Sequence, residues 1–287
     1  MKRSIRKQLP KRITYGVILS ICLAGLGYAS FEAMSTRAPD ALGCFDGLEQ
    51  TQTIVWVDAS APRWNEAQFR SLRRYFDQLY LNLGFNERLS VYSSEGDRVS
   101  SILQPGFSVC GQASRPEQLE AINAQGGQPG YLKKQRQRLY DNVLAPEVDA
   151  LLAIEPDEAR RQLYQSPILE QLAGLSRQGR LKPGTRLIII SDLIQNSESG
   201  QFCRSQNHMP RFAAFEQRRI YQQRLKPESL EGVEVEVLMI QRQGYGRAGL
   251  RYCRDEEEIK GFWRDYFKVN GVEELRFTRI RQGVVAG

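Results

Sequence analysis

Two acids close apolar, β-branched runs. Thr53-Ile54-Val55-Trp56-Val57-Asp58-Ala59-Ser60 ends on Asp58 and Ser60, and Arg186-Leu187-Ile188-Ile189-Ile190-Ser191-Asp192 ends on Asp192. Such runs form the buried strands of a parallel sheet. In an open α/β sheet ligands sit just beyond the carboxyl ends of the central strands, so these side chains stand where a site belongs. The plainer role of an acid at a strand end is to cap the following loop or helix. Other chemistry finds little support. Gly244-Tyr245-Gly246-Arg247-Ala248-Gly249 matches G-x-G-x-x-G. It lies late in the chain, however, and Leu250-Arg251-Tyr252-Cys253 delays any following helix, so no nucleotide is expected. The single histidine, His208, sits in a polar loop without a partner for triad or zinc chemistry.

The elements that position the two acids can be taken in order. Residues 1–12 carry Lys2, Arg3, Arg6, Lys7, Lys11 and Arg12 without an acid, and residues 13–31 carry no charge at all. That stretch is about long enough to cross a ~30 Å hydrocarbon core. A one-sided basic flank keeps the N-terminus in the cytoplasm, which places the remainder beyond the inner membrane in the periplasm or outside the cell. The competing reading is a cleaved signal peptide. Six of the 40 basic residues precede the apolar stretch, leaving 34 against 33 acids, so the formal charge of +7 belongs to the tail and nucleic acid is not expected as a partner.

A polar linker fills residues 32–50, and 51–287 reads as one domain. Phe69, Leu72, Tyr75 or Phe76, Leu79 and Leu83 recur at helical spacing behind Asn65 as N-cap. Residues 89–93 read as a strand, and 99–104 as a third strand returning in a hairpin. Tyr131 to Ile154 reads as helix, broken or kinked at Pro146. Ser166-Pro167 opens another helix, and a further one spans about 211–225. Residues 233–240 form a strand, 256–269 a helix with Phe262, Trp263, Tyr266 and Phe267 on its buried side, and 275–280 an edge strand. Strands alternating with helices predict a three-layer α/β fold with a mostly parallel sheet.

The order of these elements, with Asp58-x-Ser60 after the first strand and Asp192 after a later one, resembles the von Willebrand factor A-like domains. The resemblance implies the Rossmann-like strand order 3-2-1-4-5-6 with strand 3 antiparallel. It also implies a metal-ion-dependent adhesion site for Mg2+ or Mn2+, whose ligands here would be Asp58, Ser60, Ser166 and Asp192. Pro62 replaces the family's second serine, and Leu193 replaces the glycine that usually follows the last acid. In the family such a site recognises a partner's carboxylate, and no catalysis is implied.

Four cysteines, Cys44, Cys110, Cys203 and Cys253, follow the apolar stretch, and an even number in an oxidising compartment favours two disulfides. The family topology pairs Cys44 with Cys110 at one edge of the sheet and Cys203 with Cys253 at the other. The expected function is a membrane-anchored binding or scaffold module within an envelope-associated protein assembly. The alternatives are an exported metal-dependent hydrolase using Asp58 and Asp192, and a structural scaffold whose site is vestigial.

Overall fold

The computed structural model describes residues 15, 17–23, 37–58, 64–94, 104–124, 127–153, 165–203, 209–241 and 256–281. Its centre is a six-stranded sheet built from β1 (Gln52–Val57), β2 (Arg88–Ser93), β3 (Phe107–Cys110), β4 (Thr185–Ser191), β7 (Glu234–Ile240) and β8 (Leu275–Ile280). A two-stranded ribbon, β5 (Asn196–Ser197) with β6 (Gly200–Gln201), lies in the loop after β4. The sheet order is β3-β2-β1-β4-β7-β8. Within this six-stranded sheet only the β2–β3 pair is antiparallel. Among the six sheet strands this is the expected order.

Alternation along the strands sorts the core into two layers. Ile54, Trp56, Leu187, Ile189, Val235, Val237 and Met239 face helices α5 (Ile168–Arg177), α6 (Phe212–Phe215) and α7 (Glu256–Val269). Val55, Val57, Ile188, Ile190, Leu238 and Ile240 face α1 (Glu66–Asn82) and α4 (Ala145–Leu152). A short helix, α2 (Pro116–Glu120), and α3 (Pro129–Leu139) complete the set.

Helix α1 starts where expected. The Asn65 side chain accepts from the Gln68 amide while the Gln68 side chain accepts from the Asn65 amide, a reciprocal cap that satisfies two otherwise orphaned donors. Helix α3 runs into α4 through a π turn, Tyr140–Leu144, and Pro146 falls in the first turn of α4. The wider turn absorbs the hydrogen bond that proline cannot make, so of the break or kink expected here the chain shows a local π irregularity and stays helical.

The antiparallel strand that pairs with β2 is Phe107–Cys110, and Gly106 turns the chain into it, its amide donating to Val91 O. Of the strand expected at 99–104, residues 99–103 lie outside the described residues. One expectation is corrected. The stretch 211–225 is a short α6 followed by a turn and a π turn, Tyr221–Leu225, in place of one helix.

Cys44 and Cys110 are bonded, with their Cα atoms 5.0 Å apart, at the edge of the sheet where β1 and β2 begin. Cys203 is also disulfide-bonded. Its expected partner, Cys253, lies outside the described residues. Of the apolar stretch 13–31, the described residues 15 and 17–23 are helical and exposed. Among the described residues no helix is long and apolar enough to cross a membrane.

Burial raises the phenols of Tyr75, Tyr80, Tyr92, Tyr140, Tyr221 and Tyr266, that of Tyr80 to about 12. The native state resists losing these protons, so their contribution to stability is complete below the ordinary phenol pKa of 10.0 and is lost as the pH climbs through the raised values. Urea midpoints are expected to hold up to about pH 10 and to fall steeply towards about pH 12; a flat midpoint across that window contradicts the burial of these hydroxyls.

Candidate functional site

Strand register decides what stands beside Asp58. Val57 pairs with Ser93 on one side and Ile190 on the other. The ladder continues one step further: the Ser94 amide donates to Val57 O, and the Asp58 amide donates to Ile190 O, both at 2.9 Å. Asp58 therefore sits level with Ser94 and Ser191, and by the period of two all three point to the sheet face that carries α5.

The hydrogen bonds follow from this placement. Ser191 Oγ and Ser166 Oγ each donate to Asp58 Oδ2 at 2.8 Å, and Ser94 Oγ reaches Asp58 Oδ1 at 3.5 Å. Ser166 reaches Asp58 because its backbone pairs in both directions with Asn196 of the ribbon strand β5, at 2.7 and 2.9 Å. Helix α5 begins two residues later, with Pro167 at its N-cap position, so Ser166 lies just outside the helix that Ser166-Pro167 was expected to open. Asp58 is 5% exposed and Asp192 4%, and Ser94, Ser166 and Ser191 are buried with them.

The loop after β4 is rigidly held. Asp192 Oδ1 accepts the Ile194 amide, and the Leu193 amide donates to Ser191 Oγ. Leu193 adopts φ +62, the left-handed region that favours glycine, which is where the family pattern has glycine. Its carbonyl accepts Trp263 Nε1 at 2.8 Å, and its side chain is fully buried, so packing holds a conformation that the residue type alone disfavours. Gln195, also fully buried, accepts the Leu169 amide and donates to Glu170 and to Ser197, tying the loop to the start of α5.

Of the four expected ligands, the structure brings Asp58 and Ser166 into contact and puts Asp192 at the end of the neighbouring strand. Ser60 lies outside the described residues, as do His208 and the glycine motif at 244–249. Ser94 and Ser191 are additional members of the cluster. The available signal was positional, since each is a hydroxyl at the carboxyl end of a strand that flanks β1, and register alone makes them neighbours of Asp58.

β1 and β4 are adjacent, and the chain leaves them for opposite faces of the sheet, α1 on one and α6 on the other. Asp58 and Asp192 follow these two strands and so stand at the switch point, where open α/β sheets bind ligands. The donor set is entirely oxygen, the chemistry a hard cation takes. A serine hydroxyl that gives its proton to Asp58 keeps lone pairs for such an ion. Among the described residues no three His, Cys, Asp or Glu side chains assemble, so a cation here would rest on two carboxylates and hydroxyl groups. No protein-family model matches the chain, and no curated protein matches it.

Proposed function

We propose that the protein is a membrane-anchored binding module, resembling the von Willebrand factor A-like domains, that uses the Asp58 cluster to recognise an acidic group on a protein partner. The carrying observation is the convergence of Asp58, Ser166 and Ser191 beside Asp192 at the switch point of the sheet. Sheet order supports the resemblance: five strands run parallel, with one antiparallel strand at the β3 edge. Mg2+ or Mn2+ held by Asp58, Ser166, Ser191 and Asp192 would supply a positive charge with room for a partner's carboxylate.

The anchored reading draws on the apolar stretch. In its described part Tyr15, Val17, Ile18, Leu19, Ile21 and Leu23 are all more than half exposed. A helix that is apolar all round needs a lipid or protein environment. The basic flank directs the domain to the far side of the inner membrane, where the oxidising compartment accounts for the disulfides. Tethering concentrates the domain near other membrane proteins, as suits a part of an assembly.

The test is a titration of Mg2+ and Mn2+ into the full chain in detergent micelles, followed by calorimetry and thermal shift, with Asp58→Asn in parallel. Binding to the native state alone adds about 2.7 kcal/mol at 100-fold excess over Kd. The expected result is a saturable response in the wild type that Asp58→Asn loses while its unliganded fold persists. An absence of response up to millimolar metal, or an equal response in the variant, would make the cluster a structural hub and overturn the recognition role.

A further inference from the structure

At the same edge of the sheet as Asp58, a cleft of about 410 Å³ opens between α1 and the end of β8, lined by Ala67, Arg70, Ser71, Arg74, Arg279, Ile280 and Arg281. Four of its lining residues are arginines and none is an acid. The sequence alone conceals this concentration, because the two pairs of arginines lie more than two hundred residues apart.

The backbone that frames the cleft is firmly set. Gln68 Nε2 donates to Gln241 O at 2.8 Å and to Ile280 O at 3.1 Å, fastening the first turn of α1 to the ends of β7 and β8. Arg70 and Arg74 are one turn apart on the helix, a spacing at which like charges destabilise. Arg279 and Arg281 flank Ile280 at the end of the edge strand; Ile280 faces the α1 layer, Arg279 reaches across to Glu256 of α7, and both arginines line the rim of the cleft.

Compensation within the protein is partial. Arg70 pairs with Glu66, but both side chains are more than 60% exposed, where an ion pair contributes little. Arg279 pairs with the buried Glu256 at 2.5 Å. Arg74 Nε donates to Arg70 O, and among the described residues neither Arg74 nor Arg281 pairs with an acid. Both are exposed. A fold that accepts four like charges in one cleft gains from a ligand that neutralises them, and guanidinium groups match carboxylates geometrically as well as electrostatically.

We propose that this cleft is a second recognition subsite, which takes the carboxylates of an acidic segment in a protein partner. The choice of a protein segment over a lipid headgroup rests on the anchored reading above. The chain reaches β1 at the opposite edge of the sheet, where Cys44 is bonded to Cys110, so the arginine cleft faces away from a bilayer holding the N-terminal segment. It shares an edge with the Asp58 cluster, and one acidic partner can address both.

The probe is fluorescein-labelled octaglutamate, titrated by anisotropy against the full chain in nonionic micelles at low salt. Saturable binding is expected, weakened about tenfold or more in Arg74→Glu/Arg281→Glu, whose folding is checked by its thermal midpoint. The titration is run in EDTA, so that no divalent cation at the Asp58 cluster contributes, and Lys268→Glu, a reversal at the other edge, is expected to bind the peptide as the wild type does. Lack of saturable binding, equal affinity in the double variant, or displacement of the peptide by inorganic phosphate but not by free glutamate would overturn the proposal. Because the peptide titration excludes divalent cations and the metal titration uses no peptide, failure of the cation site and failure of the cleft give different results.

Discussion

Replacing both Cys44 and Cys110 with alanine is expected to destabilise the protein by about 4 kcal/mol. The bond closes a loop of 66 residues in sequence separation, which contains β1, α1 and β2. In the chain-entropy account such a loop is held far from its unfolded freedom, and the stabilisation grows with the logarithm of its length. Native-state contacts add to this. Both cysteines are fully buried, the Cys110 amide donates to Leu42 O, and Asp40 Oδ1 accepts the Leu42 and Cys44 amides. Asn86 extends the brace by bonding Phe45 through both its amide and its carbonyl. Urea unfolding of the double variant measures the loss, and its slope should rise because the unfolded chain expands. A midpoint near that of the wild type would show that these backbone bonds suffice without the cross-link.

Phe262→Ala is expected to cost about 3 to 5 kcal/mol, with Phe262→Leu near 1 kcal/mol. Phe262 is the hub of an aromatic cluster, edge-on to Phe202, Phe212, Phe215 and Trp263 at centroid distances of 5.0 to 5.5 Å. Such pairs contribute beyond the area they bury, and a cavity among rigid rings collapses poorly. The effect should spread to the site, because Trp263 Nε1 holds the Leu193 carbonyl directly after Asp192. Chemical denaturation gives the cost. Amide hydrogen exchange should show Leu193 and Ile194 opening more often in the alanine variant, and unchanged exchange there would uncouple the cluster from the loop.

The parts of this fold that sequence reading recovered are those where one periodicity acts over many residues. The helix Glu256–Val269 and the strand Leu275–Ile280 match their expected bounds because burial follows a single period along each. Asn65 is legible as a cap since its partner is three residues away. Phe107–Cys110 is too short for alternation to register, and its pairing with β2 depends on a turn outside its own sequence.

The site divides in the same way. Asp58 and Asp192 announce themselves as acids closing apolar strands. Ser191 and Ser94 become site residues only through register with β1, whereas Ser166, expected there from the resemblance, is held beside Asp58 by its bridge to Asn196, thirty residues further on. The arginine cleft joins residues 70–74 to 279–281, a proximity that no local pattern encodes.

The cross-link at the start of the sheet also determines how the domain carries mechanical load. In the anchored arrangement proposed above, a pull on the N-terminal segment against a partner at the Asp58 edge would reach Cys44 before it reached β1. The force then divides between β1, which is paired in parallel on both sides, and β3 at the sheet margin. Along β1 it acts parallel to the strand, so the ladders to β2 and β4 are sheared together instead of opening one bond at a time. Tension therefore lands on a strand paired on both sides, and the three serine contacts on Asp58 are strained only after those ladders begin to slip.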